Sequence, residues 1–328
     1  MKKIALVIPY IGKFRPDFSI FLHSCRNNPT VDFLFFCDNF DSCYFDMCVG
    51  GGNIHVIPTT LDKLKNRAQV LFPDLPISLN TPYKLCDYKP LYGLMFAKEL
   101  EDYDYWGHCD TDIVLGDIRK FVNGPISEGK LKIQLHGHFS LYHNDDYTNN
   151  VFKEHHFESY NGFPGIVPYE DVLSSPKSFA FDEGKGVGLT WLRYHKKDFY
   201  CNFDIFSNPN RFIKSFSSQG EGLLNTSRRY YEYDNGTLKE HFFGKEGVDR
   251  IKELLYVHFY QRVIDTTSEH IDWNHFIIIP NRAIPYRNMT STERWLNCYK
   301  PLNIQFWMKK IKSKLWTMFI SPSKSRRS

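Results

Sequence analysis

The 328-residue chain is predicted to be an α/β protein with a mostly parallel central sheet flanked by helices. Three observations carry that expectation. Short apolar runs rich in β-branched residues recur through the first third of the chain, as in strands buried on both faces. Stretches with helical spacing separate them. Acidic or turn-forming residues stand just past the ends of the runs, where such sheets bind ligands.

Ile4-Ala5-Leu6-Val7-Ile8 is the first strand, closed by Pro9-Tyr10. Phe18, Phe21, Leu22 and Cys25 then repeat at three- and four-residue steps, the mark of a helix face. Val31 to Phe36 is a second strand, followed by Asp38, and Asn53 to Ile57 a third. Leu61, Leu64 and Ala68 define the next helix. A longer helix is expected from Lys89-Pro90 to Leu100, leading into a strand, Tyr103 to Cys109, that delivers Asp110 and Asp112 at its end. The second half reads as less regular. Arg228 to Tyr233 and Thr237 to Phe243 flank Asp234-Asn235-Gly236, a hairpin turn signal. Lys245 to Tyr256 reads as a helix that ends before His258. With neither repeat nor linker, the chain divides most simply into one domain, 1–302, and a C-terminal tail, 303–328.

Composition narrows the function classes. The formal charge is +4, yet the tail holds Lys309, Lys310, Lys312, Lys314, Lys324, Arg326 and Arg327 with no acid. The body is therefore mildly acidic, which argues against nucleic acid as a partner. The 8 cysteines form no CxxC pair and read as free thiols, as in the cytoplasm. The apolar run after Met1-Lys2-Lys3 is too short for a signal peptide, and no stretch suits a membrane span. Aromatic residues make up 16%, enough for an aromatic core with rings left to line a carbohydrate cleft.

Asp110-Thr111-Asp112 carries the chemistry. Two carboxylates one residue apart at a strand end can reach one divalent cation, and hard oxygen donors suit Mn²⁺ or Mg²⁺. Such a cation neutralises a diphosphate and stabilises a departing nucleotide. Phe181-Asp182-Glu183-Gly184 offers a carboxylate that can take the proton of an acceptor hydroxyl. His136, His138 and His143 have no accompanying carboxylate or thiolate pattern for zinc, and His138 reads as a pocket-lining residue.

Several segments together resemble an uncharacterised bacterial family of GT-A-type glycosyltransferases found among genes for cell-surface polysaccharides. They are Ile4 to Tyr10 with Gly12-Lys13-Phe14, Phe21 to Cys25, Val31 to Asp38, Tyr83 to Pro90, Trp106 to Asp112, and Gly137 to Tyr142. The resemblance is dense over the first half and extends to about residue 285. It implies a GT-A-like, Rossmann-type fold with an irregular acceptor-side half, a divalent metal, and a nucleotide-sugar donor, most commonly UDP-linked. By the same analogy Asp110 touches the donor ribose or the metal, Asp112 is the firmer metal ligand, and His258 completes the metal site. Arg262 would approach the diphosphate, Asp87 and Lys89 would meet the nucleoside and phosphate, and Pro9, Tyr10 and Asp38 would cradle the base. The acceptor would be a growing glycan, free or lipid-linked.

Ile304, Met308, Ile311, Leu315, Met318 and Phe319 recur at helical steps among the tail lysines. A basic amphipathic helix of this kind suits the anionic inner face of the cytoplasmic membrane. Two rival functions remain: a nucleotidyltransferase that makes the activated sugar, and an inactive sugar-nucleotide or glycan binder. The first would place a Gly-rich basic loop after the first strand, where this chain has Pro9-Tyr10-Ile11-Gly12-Lys13-Phe14.

Overall fold

The structure is a computed structural model that describes residues 1–39, 44, 52–154, 165–183, 186–211, 216, 228–243, 249–268, 270–290, 293, 298, 307–308 and 310–311. The chain divides into two compact units, Met1–Ile205 and Phe206–Ser328. Most of the tail expected beyond the boundary at 302/303 lies outside the described residues.

In the first unit the strands are β1 (Ile4–Tyr10), β2 (Val31–Cys37), β3 (Ile54–Pro58), β4 (Tyr105–Cys109), β5 (Ile113–Leu115), β6 (Lys132–Ile133), β7 (Phe139–His143) and β8 (Phe199–Tyr200). All but β5 form one sheet in the order β3-β2-β1-β4-β7-β6-β8. β1 runs parallel to β2 and β4, and β2 parallel to β3. β7 is antiparallel to its neighbours β4 and β6, and β6 is parallel to β8. The sheet is thus largely parallel, as the apolar runs predicted. Ile4 to Ile8 are all buried because side chains on both faces of β1 meet covering elements.

The helices Phe18–Arg26 and Leu61–Leu71 fall where their apolar spacing placed them. Thr60 caps the second by accepting a hydrogen bond from Lys63 N at 3.3 Å, which satisfies one of the first-turn donors. Leu64 and Ala68 from this helix join Ala5, Val7, Leu34 and Phe36 from the sheet in the main core. On the same face Trp106 and Tyr142, paired in register across β4 and β7, stack at 4.4 Å.

The helix expected from Lys89 to Leu100 is corrected. A 3-10 helix spans Pro82–Leu91 and a single α-turn, Tyr92–Met95, follows it. Pro90 lies inside the run and has no N–H to give an α-helical ladder, so the segment winds with i→i+3 bonds.

The second unit is more regular than the sequence suggested. Its strands are β9 (Phe206–Ser207), β10 (Arg228–Asp234), β11 (Thr237–Phe243), β12 (Asp249–Leu254), β13 (Tyr256–His258), β14 (His275–Ile279) and β15 (Arg282–Pro285). β12-β11-β10-β14-β15 form an antiparallel sheet, while β9 and β13 pair in parallel. The hairpin is the predicted one: Asn235 and Gly236 take φ of 46° and 89°, the left-handed pair of a type I′ turn. The helix expected over Lys245 to Tyr256 is instead strand from Asp249 on, laddered to β11. Ile251, Leu254 and Leu255 do recur at helical steps, but Ile251 is 62% exposed. Pairing with the neighbouring strand decides the conformation against the local pattern.

The six described cysteines, Cys25, Cys37, Cys86, Cys109, Cys201 and Cys298, are free thiols. Among the described residues no helix is long and apolar enough to cross a membrane.

One core residue breaks the pattern. Lys132 is fully buried, its Nζ lies 3.7 Å from the Tyr142 ring centroid, and it makes no hydrogen bond among the described residues. Burial lowers its pKa from 10.5 to about 7, against a smaller opposing pull from Asp182. Between these two values the unfolded chain carries a proton that the folded chain lacks. Stability from this group therefore rises with pH over that window, and the full cost of burying the ammonium is borne below about 7. Lys132→Met is expected to melt a few degrees above the wild type at pH 7, with the gap closing towards pH 10. Thermal melts of both proteins across that pH range check it; a gap independent of pH would refute the assignment.

Candidate functional site at the carboxyl edge of the parallel strands

β1, β2 and β4 end at one edge of the sheet. Tyr10 pairs with Cys37 in register, so Tyr10, Asp38 and Asp110 stand together past the strand ends. Asp38 accepts from Gly12 N at 2.8 Å, and Gly12 takes a φ of +107° that other residues avoid. Asp38 thereby pins the loop after β1. Tyr10 stacks on Phe14 at 4.4 Å and donates to the Lys13 carbonyl at 3.2 Å. One face of its ring is therefore committed within the loop.

Asp110 and Asp112 each present an oxygen, and the two atoms lie within 4.8 Å of one another. Each carboxylate also meets a cation of the protein. Lys89 Nζ donates to Asp110 Oδ1 at 2.8 Å, and Arg15 Nη1 donates to Asp112 Oδ2 at 3.1 Å. Arg15 in turn holds Asp17 through two 2.9 Å bonds. Four carboxylates (Asp17, Asp110, Asp112 and Asp182) thus surround two cations. The acid excess, and hard oxygens on a strand end, fit a Mn²⁺ or Mg²⁺ ion.

Lys89 is the centre of this arrangement. Its ammonium is buried and spends its donors on Asp110, on the Gly137 carbonyl at 2.8 Å, and on Asp182 Oδ2 at 3.3 Å. Burial disfavours the charge, but the Asp110 and Asp182 carboxylates outweigh it and hold Lys89 well above the usual lysine value. Asp182 is 4% exposed. Burial raises its carboxyl to about 6, with Lys89 pulling it down and Glu183 and Asp110 pushing it up. Glu183 is the more exposed member of the acid pair; Gly184 lies outside the described residues.

Two residues expected to meet ligand are buried and hydrogen-bonded within the protein. Asp87 is fully buried and serves the interior: it accepts from Lys84 Nζ at 2.8 Å and from the backbone N–H groups of Phe179 and Phe181 at 3.1 Å. It fixes the segment that carries Asp182. Arg262 is 1% exposed inside the second unit, where it donates to Asn281 Oδ1 at 2.9 Å and to the Asn210 carbonyl. Both terminal nitrogens of the guanidinium are thus engaged within the unit. His258 ends β13 and is buried. His138 is buried beside His136, ring on ring at 4.7 Å, and its carbonyl accepts from Asp110 N at 3.2 Å. His143 pairs with Asp145 instead.

Gly137 and the Lys89–Asp182 bond were missed by sequence reasoning. A Cβ on Gly137 would run into the Asp182 carboxylate, so only glycine allows that approach. The signal in the sequence is the glycine itself, Gly137 between His136 and His138. Gly137→Ala is expected to cost about 1–3 kcal/mol of stability by overpacking. Gly124→Ala, where a Cβ meets nothing within 4 Å, is expected to be neutral or stabilising by up to about 1 kcal/mol. Urea unfolding of both variants decides it; equal effects would show that Gly137 is not constrained by Asp182.

Comparisons with known proteins give a family and some distant likenesses. Residues 6–287 match the model of a "Family of unknown function (DUF6625)". No curated protein matches the chain. Among solved structures, the chain is similar to the apo form of mouse xyloside xylosyltransferase 1 (7% identity, 63% of this chain and 87% of that one, TM-score 0.37). It is also similar to an active-site mutant of LgtC (10% identity, 79% and 88%, TM-score 0.39). A third likeness is to a cytidylyltransferase from Leptospira borgpetersenii serovar Hardjo-bovis (11% identity, 62% and 77%, TM-score 0.32). These three are remote partial likenesses, whereas the family match spans most of the sequence: the chain belongs to the family of unknown function DUF6625.

Proposed function

We propose that this protein is a metal-dependent glycosyltransferase. It moves a sugar from a nucleotide-sugar, UDP-linked, to a growing cell-surface glycan. The observation that carries the reading is the pair Asp110 and Asp112 at the carboxyl edge of the parallel strands, with Asp110 tied through Lys89 to the buried Asp182. Asp110 and Asp112 are the proposed holders of Mn²⁺ or Mg²⁺, with His258 proposed as a further ligand. When bound, the cation supplies charge neutralisation at the diphosphate.

The chain's own residues do the rest. Pro9, Tyr10 and Asp38 stand where a nucleobase would rest beyond β1 and β2. Lys89 holds its ammonium behind Asp110, so it orients that carboxylate and keeps positive charge close to where phosphate oxygens gather. Asp182 acts through Lys89 and Glu183 as a positioning group. Glu183 is proposed to take the acceptor hydroxyl's proton while the new glycosidic bond forms and the bond from sugar to diphosphate breaks. The basic tail, 303–328, is proposed to hold the enzyme against an anionic membrane surface where lipid-linked acceptors reside.

The nucleotidyltransferase reading ranks second, because the loop after β1 is pinned by Asp38 at its single glycine, Gly12, rather than being a Gly-rich basic cradle. A donor-binding protein without turnover is the remaining alternative.

A thermal-shift series with UDP-sugars, with Mn²⁺ present or chelated, tests the assignment. At a ligand concentration about 100 times its Kd, stabilisation should reach about 2.7 kcal/mol. Asp112→Asn and His258→Ala are expected to abolish the Mn²⁺-dependent part, and Glu183→Gln to slow UDP release by about 10²–10⁴-fold with donor binding retained. If no UDP-sugar shifts the melt in the presence of Mn²⁺, the donor assignment fails. For the tail, truncation after residue 302 should release the protein from anionic vesicles in a sedimentation assay; undiminished binding would remove the membrane role.

A further inference from the structure

The second unit carries a polar cluster that the proposed reaction does not use. Glu232 and Asp234 are two residues apart on β10 and so share one face of the sheet. His275 on β14 pairs with Asp234 in register, and Lys239 on β11 pairs with Glu232. One ligand atom from each of Glu232, Asp234 and His275 lies within 4.8 Å of the others. His275 Nε2 is shielded from solvent, makes no hydrogen bond among the described residues, and stands 3.5 Å from Glu232 Oε1. Tyr286 stacks on the imidazole at 3.7 Å and fixes its plane.

We propose that Glu232, Asp234 and His275 form a zinc-binding site that stands apart from the transferase assignment. Ligands about 2.0–2.2 Å from a tetrahedral zinc are separated by roughly 3.3–3.6 Å, and the His275–Glu232 distance of 3.5 Å falls in that range. An imidazole with carboxylates favours Zn²⁺ over the all-oxygen ions Mg²⁺ and Ca²⁺. The carboxylate is pre-aimed: His241 Nε2 meets the other Glu232 oxygen, Oε2, at 2.7 Å, the outer hydrogen bond that orients a metal-binding group. Lys239 shows that the position attracts a cation, since its Nζ lies 3.2 Å from Glu232 Oε1 and 3.3 Å from Asp234 Oδ2. Its side chain is 26% exposed and can swing to solvent. Zinc and the Lys239 ammonium therefore compete for the same pair of carboxylates.

The experiment is calorimetric titration of the full-length chain with ZnCl₂, in a background of Asp110→Asn and Asp112→Asn so that the acid pair of the first unit contributes no heat. One zinc per chain is expected. His275→Gln and Glu232→Gln should weaken binding at least about tenfold, and His241→Gln should weaken it by about 10–100-fold, as outer-shell losses do. Lys239→Gln removes the competitor without removing a ligand and should tighten binding. Melts without metal establish that each variant is folded, and the Lys239 variant keeps the test intact if a ligand variant is not. Zinc binding unaffected by His275→Gln and Glu232→Gln overturns the site, and so does absence of zinc binding in Lys239→Gln. Either result leaves the donor and Mn²⁺ measurements untouched.

Discussion

The first unit is organised around one buried ammonium. Lys89 lies at the end of a 3-10 helix, yet its three partners come from three other places: Asp110 at the end of β4, the Gly137 carbonyl before β7, and Asp182 before the helix Val187–Tyr194. Taking an ammonium out of water costs several kcal/mol unless its donors are met with good geometry. Here all three protons have acceptors. Removing the lysine would leave Asp182 as an uncompensated buried carboxylate, the more damaging half of such a break. The lysine therefore ties three separate segments together at the edge of the sheet.

A second polar layer supports the first. Asp87, two residues before Lys89, receives the Phe179 and Phe181 amides and the Lys84 ammonium. The same short helix thus positions both partners of the central ion pair, Lys89 directly and Asp182 through the backbone that carries it. Gly137 closes the arrangement from the other side by giving up its side chain. His108, a buried residue of β4, bonds the Gly137 carbonyl at 3.0 Å through Nδ1. Burial, with Lys89 and Lys132 adding to it, keeps its imidazole well below the usual histidine value and hence neutral. A neutral ring beside an ammonium avoids adding a second unbalanced charge.

Legibility in the sequence followed the range of the interactions. β1, β2 and β3 were readable because a strand buried on both faces needs apolar residues at consecutive positions, a purely local demand. The Asn235-Gly236 turn was readable for the same reason. Asp110 and Asp112 were readable because their spacing and strand-end setting are local. β12 was not: its backbone is held by β11, and nothing within Asp249 to Leu254 states that partner. The same holds for Asp87 and Arg262, whose types suggested ligands while their burial is decided by residues as far away as Phe181 and Asn210. The Lys89–Asp182 bond spans 93 positions, and no local pattern encodes it.

The two units share a physical device. In each, a lysine ammonium stands between two carboxylates: Lys89 between Asp110 and Asp182, Lys239 between Glu232 and Asp234. The difference lies in what surrounds them. Lys89 is buried with all its donors spent, so it is a fixed part of the arrangement and has no solvent to move into. Lys239 is partly solvated and can be rehydrated when it leaves, so its carboxylates are exchangeable. Coulomb attraction to a divalent ion is double that to an ammonium at equal distance, but it is realised only where the monovalent competitor has somewhere to go. Exposure of the lysine, more than the number of acids, therefore decides which carboxylates in this protein can change partner.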